Sequence, residues 1–324
     1  FTPFWKACRR EGLDDSVSPT PRHLSAPSVW PDSVPIDDLA LSPKKNWTKG
    51  LKDAWTPGEF NAMKGLEKFA ASAMDAYSGE RDFPAIPSTS ALSPHLSFGE
   101  ISPKQILRHV RSIPNQKSES FIRQLGWREF SSYLLYHFPS LNDTPLRQQF
   151  KDFGWLTDKN GLSSWQKGRT GYPIVDAGMR QLWQTGWMHN RIRMVVASFL
   201  VKDLLIDWRS GADWFWDTLV DADIANNSAS WQWVAGCGAD AAPYFRIFNP
   251  ITQGKNFESY GHYVRRWIPE LADLPSSVIH SPWMASFSEL SNAGIKLGDT
   301  YPEPIIDHSF ARERALLALS SSKL

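Results

Sequence analysis

The stretch from Asp221 to Trp233 places carboxylates, amides and indoles within one short segment. Asp221 and Asp223 come first, and two adjacent amides follow them. Trp231 and Trp233 close the stretch. Such a mixture of charge, amide and indole fits neither a plain amphipathic helix nor a solvated loop. It predicts the wall of a site that holds a large, flat ligand with polar edges.

Each of these residue types also has a simpler explanation. Asp221 and Asp223 could cap a helix or lie on the surface. They could also bind a hard cation, although no further oxygen ligand stands at calcium-loop spacing. The two tryptophans could be ordinary core, because aromatic side chains bury large areas. The residues alone leave these alternatives open.

A hydroxyl-rich segment, Ser88–Ser93, runs directly into Pro94. Hydroxyls and free main-chain N–H groups at the start of a helix form a natural seat for a phosphate. The alternative is a turn rich in serine and threonine that only caps a helix.

Two further segments place polar side chains on one face of a predicted helix. In Phe121–Phe130, Gln124, Trp127 and Arg128 fall on the same side, because residues three and four apart are neighbours on a helix. A core helix more often carries leucine at such positions. This face therefore contacts a cavity or a partner.

The second segment, Gly186–Val195, carries a polar stripe of Asn190, Arg193 and Met194 next to an apolar one. A buried arginine needs a carboxylate partner. Asp221 is the candidate for that partner.

Together these segments resemble the flavin site of the DNA photolyase/cryptochrome family. The resemblance rests on the pattern Asp-x-Asp-x-x-x-Asn-x-x-x-Trp-x-Trp, which begins at Asp221. Gly-x-Gly-x-Asp-Ala-x-Pro-Tyr-Phe-Arg-Ile-Phe-Asn-Pro follows it and ends at Pro250. The resemblance implies FAD as the cofactor and is strongest from Tyr77 to Glu270.

The resemblance assigns a role in cofactor binding to a set of matching residues. Asn227 matches the residue opposite flavin N5, where a neutral amide can accept a hydrogen bond. The full cofactor set comprises Tyr77, Thr89, Ser90, Ala91, Leu92, Ser93, Phe121, Arg128, Asn190, Arg193, Asp221, Ala222, Asp223 and Asn227.

The resemblance further implies blue-light-driven repair of cyclobutane pyrimidine dimers, by electron transfer from reduced FAD to a lesion flipped out of UV-damaged DNA. The residues expected at the lesion and the DNA are Gln124, Trp127, Arg128, Asn190, Arg191, Met194 and Trp233. Those expected to take part in catalysis are Asn227 and the electron-relaying tryptophans Trp155, Trp208 and Trp231.

One residue departs from the pattern of enzymes that repair cyclobutane dimers. They usually carry glutamate where this chain has Gln124, and glutamine is more familiar from (6-4) photolyases and some cryptochromes. The segment Asn190–Met194 follows the cyclobutane-dimer pattern, and the longer segment outweighs one substitution. Repair of (6-4) photoproducts and a cryptochrome-type photoreceptor are the alternatives, although plant cryptochromes have aspartate in place of Asn227. A flavin-free helical DNA-binding protein is a third alternative, and a flavin absorption band in the purified protein would exclude it.

The elements that carry these residues are predicted to be helices, so the fold class is all-α. Ser102-Pro103 predicts a helix start, Phe121 to His137 a long helix, and Pro173 to Gly186 another. We predict a proline-rich linker or wrapping segment at 1–45, a helical FAD- and lesion-binding domain at 46–312 and a tail at 313–324. The α/β antenna domain that family members carry at their N-terminus is expected to be absent from this chain.

Charge and cysteine content limit how the chain can bind DNA and which cellular compartment it suits. The 35 basic and 34 acidic residues give a net charge of +1, so DNA binding needs a local basic rim. The candidates are Arg128, Arg191, Lys255, Arg265 and Arg266. Only Cys8 and Cys237 are present, which favours a reducing compartment without a disulfide framework or zinc site. We expect a monomeric cytoplasmic protein that binds neither membrane nor metal.

Overall fold

A computed structural model describes residues 1–41, 46–114, 116–240 and 245–322 of the chain. Pro43 of the predicted linker and the motif residues 241–244 lie outside the described residues.

The described residues form sixteen α-helices. They are Thr2–Glu11 (α1), Lys49–Ala54 (α2), Glu59–Ser72 (α3), Tyr77–Glu80 (α4), Ser93–Ser97 (α5), Pro103–Arg111 (α6), Glu119–His137 (α7), Lys159–Gln166 (α8), Pro173–Thr185 (α9), Asn190–Ser198 (α10), Trp208–Thr218 (α11), Ile224–Ala235 (α12), Pro250–Phe257 (α13), His262–Trp267 (α14), Phe287–Asn292 (α15) and His308–Ser321 (α16).

The prediction of an all-α fold is confirmed. Over the described ranges there is no strand, and the only β-type pairings are two isolated bridges. No helix among these residues is long and apolar enough to cross a membrane.

Local sequence signals account for the helix ends near the site. Ser102 caps α6 in a capping box with Gln105, and Pro103 is the first helical residue. Helix α9 begins at Pro173 and ends before Gly186, whose φ of 67° is a left-handed conformation that glycine adopts without strain. Helix α7 begins two residues before the predicted Phe121 and ends at His137 as predicted.

Two apolar clusters form the interior. One contains buried residues between Phe1 and Leu141, around α1, α3, α6 and α7. The other contains buried residues between Phe150 and Ala315, around α9 to α12, α14 and α16. Helix α12 packs against both α7 and α11, so it contacts elements of both clusters.

A buried lysine fixes the far end of α12. Helix α10 continues into a π-helical turn, Phe199–Asp203, and Lys202 in that turn donates to the carbonyl oxygen of Ala235 at 3.0 Å. Its ammonium also lies over the ring of Phe245. Burial lowers the pKa of Lys202 well below its usual value. The contact ties α10 to the last residue of α12.

Both predicted terminal segments contain helix. The predicted boundary at 312 falls inside α16, where Ala311 and Ala315 are buried. Nη2 of Arg314, in the same helix, donates to the carbonyl oxygen of Asp203 at 2.6 Å. Within the predicted linker, α1 packs against α7, which local proline content did not indicate.

Candidate active site

One cavity of about 550 Å³ lies between α7, α10 and α12. Its volume is within the range typical of sites for small molecules and cofactors. All the predicted cofactor residues line it: Tyr77, Thr89, Ser90, Ala91, Leu92, Ser93, Phe121, Arg128, Asn190, Arg193, Asp221, Ala222, Asp223 and Asn227. Gln124, Trp127, Met194, Trp231 and Trp233 line the same cavity.

The carboxylate of Asp221 is the buried charge at the centre of this wall. Its Oδ2 accepts from Nη2 of Arg193 at 2.7 Å and from Oγ of Ser93 at 2.6 Å. The predicted pairing of Arg193 with Asp221 is therefore confirmed. Among the described residues, Oδ1 of Asp221 has no hydrogen-bond partner although it is buried. A buried carboxylate oxygen without a donor is costly, so this atom is available to a donor on a ligand.

Asp223 combines a capping role with an ion pair. Its Oδ1 accepts from the main-chain nitrogen of Asn226 at 2.8 Å and caps α12. Its Oδ2 accepts from Nη2 of Arg128 at 3.2 Å. The capping explanation thus holds for Asp223, and the same carboxylate orients an arginine from α7 at the cavity wall.

Two amide side chains at the cavity are oriented by main-chain carbonyl groups. Nδ2 of Asn227 donates to the carbonyl oxygen of Ala212 at 2.9 Å. Nε2 of Gln124 donates to the carbonyl oxygen of Ser120 at 3.2 Å. A carbonyl oxygen only accepts, so in each case the amide nitrogen must face it. The amide oxygens of Asn227 and Gln124 are then the atoms offered to a ligand.

The hydroxyl-rich loop lies beside these groups. Ala91 has a φ of 50°, which turns the chain sharply at the start of α5. Oγ of Ser97, in α5, donates to the carbonyl oxygen of Ala222 at 2.7 Å and joins the loop to the Asp221 segment. Burial raises the pKa of Tyr77, so it remains a neutral hydroxyl at this wall.

The three relay candidates lie on α12, on α11 and in the segment before α8. Trp231 packs on α11 at Gly211, where a Cβ atom would lie 2.1 Å from its ring. Trp208 begins α11, one turn earlier, and is buried. The residue after Trp155 forms a bridge with Ile206, just before that helix. Trp208 and Trp155 do not line the cavity over the described ranges.

The predicted basic rim is only partly at the cavity. Of its five members, only Arg128 lines the cavity wall formed by described residues. Arg191 pairs with Asp82 at 2.9 Å, and Arg265 donates to the carbonyl oxygens of Ala272 and Leu274. Lys255 and Arg266 are exposed. The internal contacts of Arg191 and Arg265 occupy donors that phosphate contacts would need.

Comparison with known proteins identifies the family. The model described as "FAD binding domain of DNA photolyase" matches residues 121–321. A deoxyribodipyrimidine photo-lyase from Agrobacterium fabrum is 53% identical over all of this chain, which spans 68% of that relative. The chain belongs to the DNA photolyase/cryptochrome family. Cryptochrome-2 of Arabidopsis thaliana is 38% identical, and this chain spans 55% of its length.

A solved structure of this family has the same fold. It is a bacterial class III photolyase from Agrobacterium tumefaciens, 51% identical, with a TM-score of 0.94. The superposition covers 99% of this chain and 68% of that protein.

The cavity fits the FAD of this family on chemical grounds. It combines apolar and aromatic walls with a small number of convergent polar groups, the composition expected of a cofactor site. The open Oδ1 of Asp221 requires a donor, and the hydroxyls and N–H groups of a ligand such as FAD supply one.

Several residues at the cavity were not in the predicted set, among them Trp187, Asn226 and Asp240. Trp187 lies between α9 and α10, and its Nε1 donates to Oγ of Ser93 at 3.3 Å. Asn226 and Asp240 also line the wall. Trp187 was detectable, because it separates the predicted end of one helix from the polar stripe of the next. Asp240 is the aspartate of the Gly-x-Gly-x-Asp-Ala motif, and Asn226 is one of the two adjacent amides after Asp223, so both also stood in segments singled out by the sequence.

Proposed function

We propose that this chain performs light-driven repair of cyclobutane pyrimidine dimers, with FAD and the flipped-out dimer in one cavity. The observation that carries the proposal is that Gln124, Trp127, Met194 and Trp233 line the same cavity as Asp221 and Asn227. A flavin-binding protein that does not bind a lesion would need only Asp221 and Asn227 at this cavity.

Asp221, Arg193 and Ser93 hold the polar part of the cofactor, and the loop from Thr89 to Ser93 supplies N–H groups to its phosphates. The amide oxygen of Asn227 accepts a hydrogen bond from the cofactor ring. Bound FAD supplies the electron that light moves to the dimer. The residues of this chain contribute orientation and electrostatics.

The opposite wall receives the lesion. A dimer is already poorly stacked, so flipping it out of the duplex costs little. Trp127 and Trp233 provide flat apolar surfaces for its bases, and Met194 fills irregular space beside them. Gln124 offers its amide oxygen as an acceptor for a base N–H. In this orientation glutamine presents the same acceptor chemistry as the glutamate usual at that position.

The test is illumination of purified, reduced protein with duplexes that contain either a cyclobutane dimer or a (6-4) photoproduct. We expect repair of the dimer only. Gln124→Glu should keep or raise dimer repair because it preserves the acceptor. Gln124→Leu should weaken dimer binding by about 1 to 3 kcal/mol, since a buried base N–H then lacks a partner. Repair of the (6-4) product alone would reverse the substrate assignment. Photoreduction of bound flavin without repair of either lesion would favour a photoreceptor.

A further inference from the structure

Helix α1 packs on α7 at a position that has no side chain. A Cβ atom at Gly126 would come within 2.5 Å of Cε3 and Cζ3 of Trp5. Trp5 is 8% exposed, so its ring is largely enclosed by this contact. The absence of a side chain at position 126 is therefore what lets α1 approach α7.

This docking builds a column of aromatic rings. The rings of Trp5 and Phe1 are 6.2 Å apart and inclined by 13°. Those of Phe1 and Trp127 are 3.8 Å apart and inclined by 10°. Isolated aromatic pairs prefer offset or edge-to-face geometry over such close parallel overlap. The packing of α1 on α7 must therefore impose the arrangement.

The column ends at the lesion wall of the cavity. Trp127 lines the cavity, whereas Phe1 and Trp5 are not among the described residues that line it. The cavity thus meets the indole on a side that Phe1 leaves free. The guanidinium carbon of Arg123 lies 5.5 Å from the centre of the Phe1 ring.

We propose that Phe1 and Trp5 are positioning residues for lesion recognition, which hold the Trp127 indole in the plane against which a flipped-out base stacks. The inference rests on the proposed function, because it needs a base to stack on Trp127. Because Phe1 packs against the Trp127 indole, that side chain is already ordered and loses little conformational entropy when a base stacks on it. Less of the favourable stacking free energy is then offset by ordering the ring.

The test compares two phenylalanines on α1. Phe1→Leu removes the ring that backs Trp127, whereas Phe4→Leu removes a ring that contacts Phe130 and Tyr133. Binding in the dark is measured for a duplex with one thymine dimer and for the same duplex without damage. Phe1→Leu should weaken dimer binding roughly two- to tenfold and leave undamaged binding unchanged. Phe4→Leu should bind like the wild type, and Phe1→Tyr should restore dimer affinity.

A second variant reaches the same contact from α7. Gly126→Ala should improve the helix itself, since alanine is the better helix former, yet its Cβ displaces Trp5. We expect the same loss of dimer affinity as for Phe1→Leu, with flavin content unchanged. This variant also decides the question if Phe1→Leu does not fold.

Trp127→Ala separates the two proposals. If it weakens dimer binding while Phe1→Leu and Gly126→Ala bind like the wild type, the positioning role is wrong and the proposed function stands. The positioning role is also wrong if Phe1→Leu and Gly126→Ala weaken binding to damaged and undamaged DNA equally. If Trp127→Ala itself leaves dimer binding unchanged, the lesion does not stack there and both proposals fail.

Discussion

Asp176 and Asp221 are both buried aspartates, but their surroundings differ. In Asp176, Oδ1 accepts from the main-chain nitrogen and hydroxyl of Thr170, both at 2.7 Å. Its Oδ2 accepts from the nitrogen of Gly171 at 3.0 Å and the hydroxyl of Tyr301 at 2.7 Å. Asp221 is bonded through Oδ2 alone, and within the described structure its Oδ1 has no partner.

The difference distinguishes a carboxylate whose oxygens are all bonded inside the fold from one that lines a cavity with an unpartnered oxygen. Asp176 joins α9 to the segment that precedes α16, and every acceptor position is used inside the protein. Asp221 lies at the cavity wall with one oxygen open. Glu258 and Asp203 also have oxygens without a partner among the described residues, but neither lines this cavity. An unpartnered oxygen therefore points to a ligand only where it also lies at a cavity wall.

Replacing Asp176 should have the largest effect. Asp176→Ala leaves the buried donors of Thr170, Gly171 and Tyr301 unsatisfied, which should cost about 3 to 5 kcal/mol of unfolding free energy. Urea denaturation measures it. Asp176→Asn retains one acceptor and should lose less. Equal stability of the alanine variant and the wild type would remove the distinction between the two aspartates.

The second prediction concerns Trp231, which lines the cavity and also belongs to the core cluster. Trp231→Phe should abolish or strongly slow photoreduction of oxidised flavin, because phenylalanine fills much of the space but is harder to oxidise. Dimer repair by chemically reduced protein should remain close to normal. Photoreduction is measured as the change in flavin absorption under blue light with an external reductant. Dimer repair is measured after the protein has been reduced with dithionite.

Trp165 provides the matched control for that variant. It is fully buried, its ring lies 6.3 Å from that of Trp231, and it is not a relay candidate. Trp165→Phe should therefore leave photoreduction intact. If Trp231→Phe photoreduces as fast as Trp165→Phe, Trp231 is core only. Trp155→Phe, at the far end of the relay, should act in the same direction as Trp231→Phe.

A smaller, pH-dependent effect is expected at Glu258. Burial raises its pKa to about 7 from a usual 4.5, so ionising this carboxyl costs more in the folded than in the unfolded protein. Its contribution to stability is therefore fully present below pH 4.5 and is lost as the pH rises to about 7. Glu258→Gln should gain stability relative to the wild type between pH 5 and pH 8, measured by denaturation at both values. The exposed Glu67→Gln should show no such gain.

Features set by neighbouring residues were predictable from the sequence. The cap at Ser102, the ends of α9 and the polar stripe on α10 each depend on local spacing. The pairing of Arg193 with Asp221 followed from the cost of burying an arginine alone. These signals, with the family resemblance, identified the wall of the cavity.

Features set by distant contacts were not predictable in the same way. Nothing near Gly126 indicates that Trp5 covers it, and nothing near Asp176 points to Tyr301. Nothing in the sequence of α16 indicates that Arg314 reaches the carbonyl oxygen of Asp203. Such contacts depend on packing between segments more than a hundred residues apart.

The most direct test of the account is FAD binding by Asp221→Ala, measured by flavin fluorescence during titration of the apoprotein. The lost hydrogen bond to a charged group should weaken binding by about 1.5 to 3 kcal/mol, or roughly ten- to a hundredfold. The unfolding free energy of the apoprotein should change much less than in Asp176→Ala. The exposed Asp53→Ala is the control. Wild-type affinity for FAD in Asp221→Ala would contradict the assignment of this carboxylate to the cofactor.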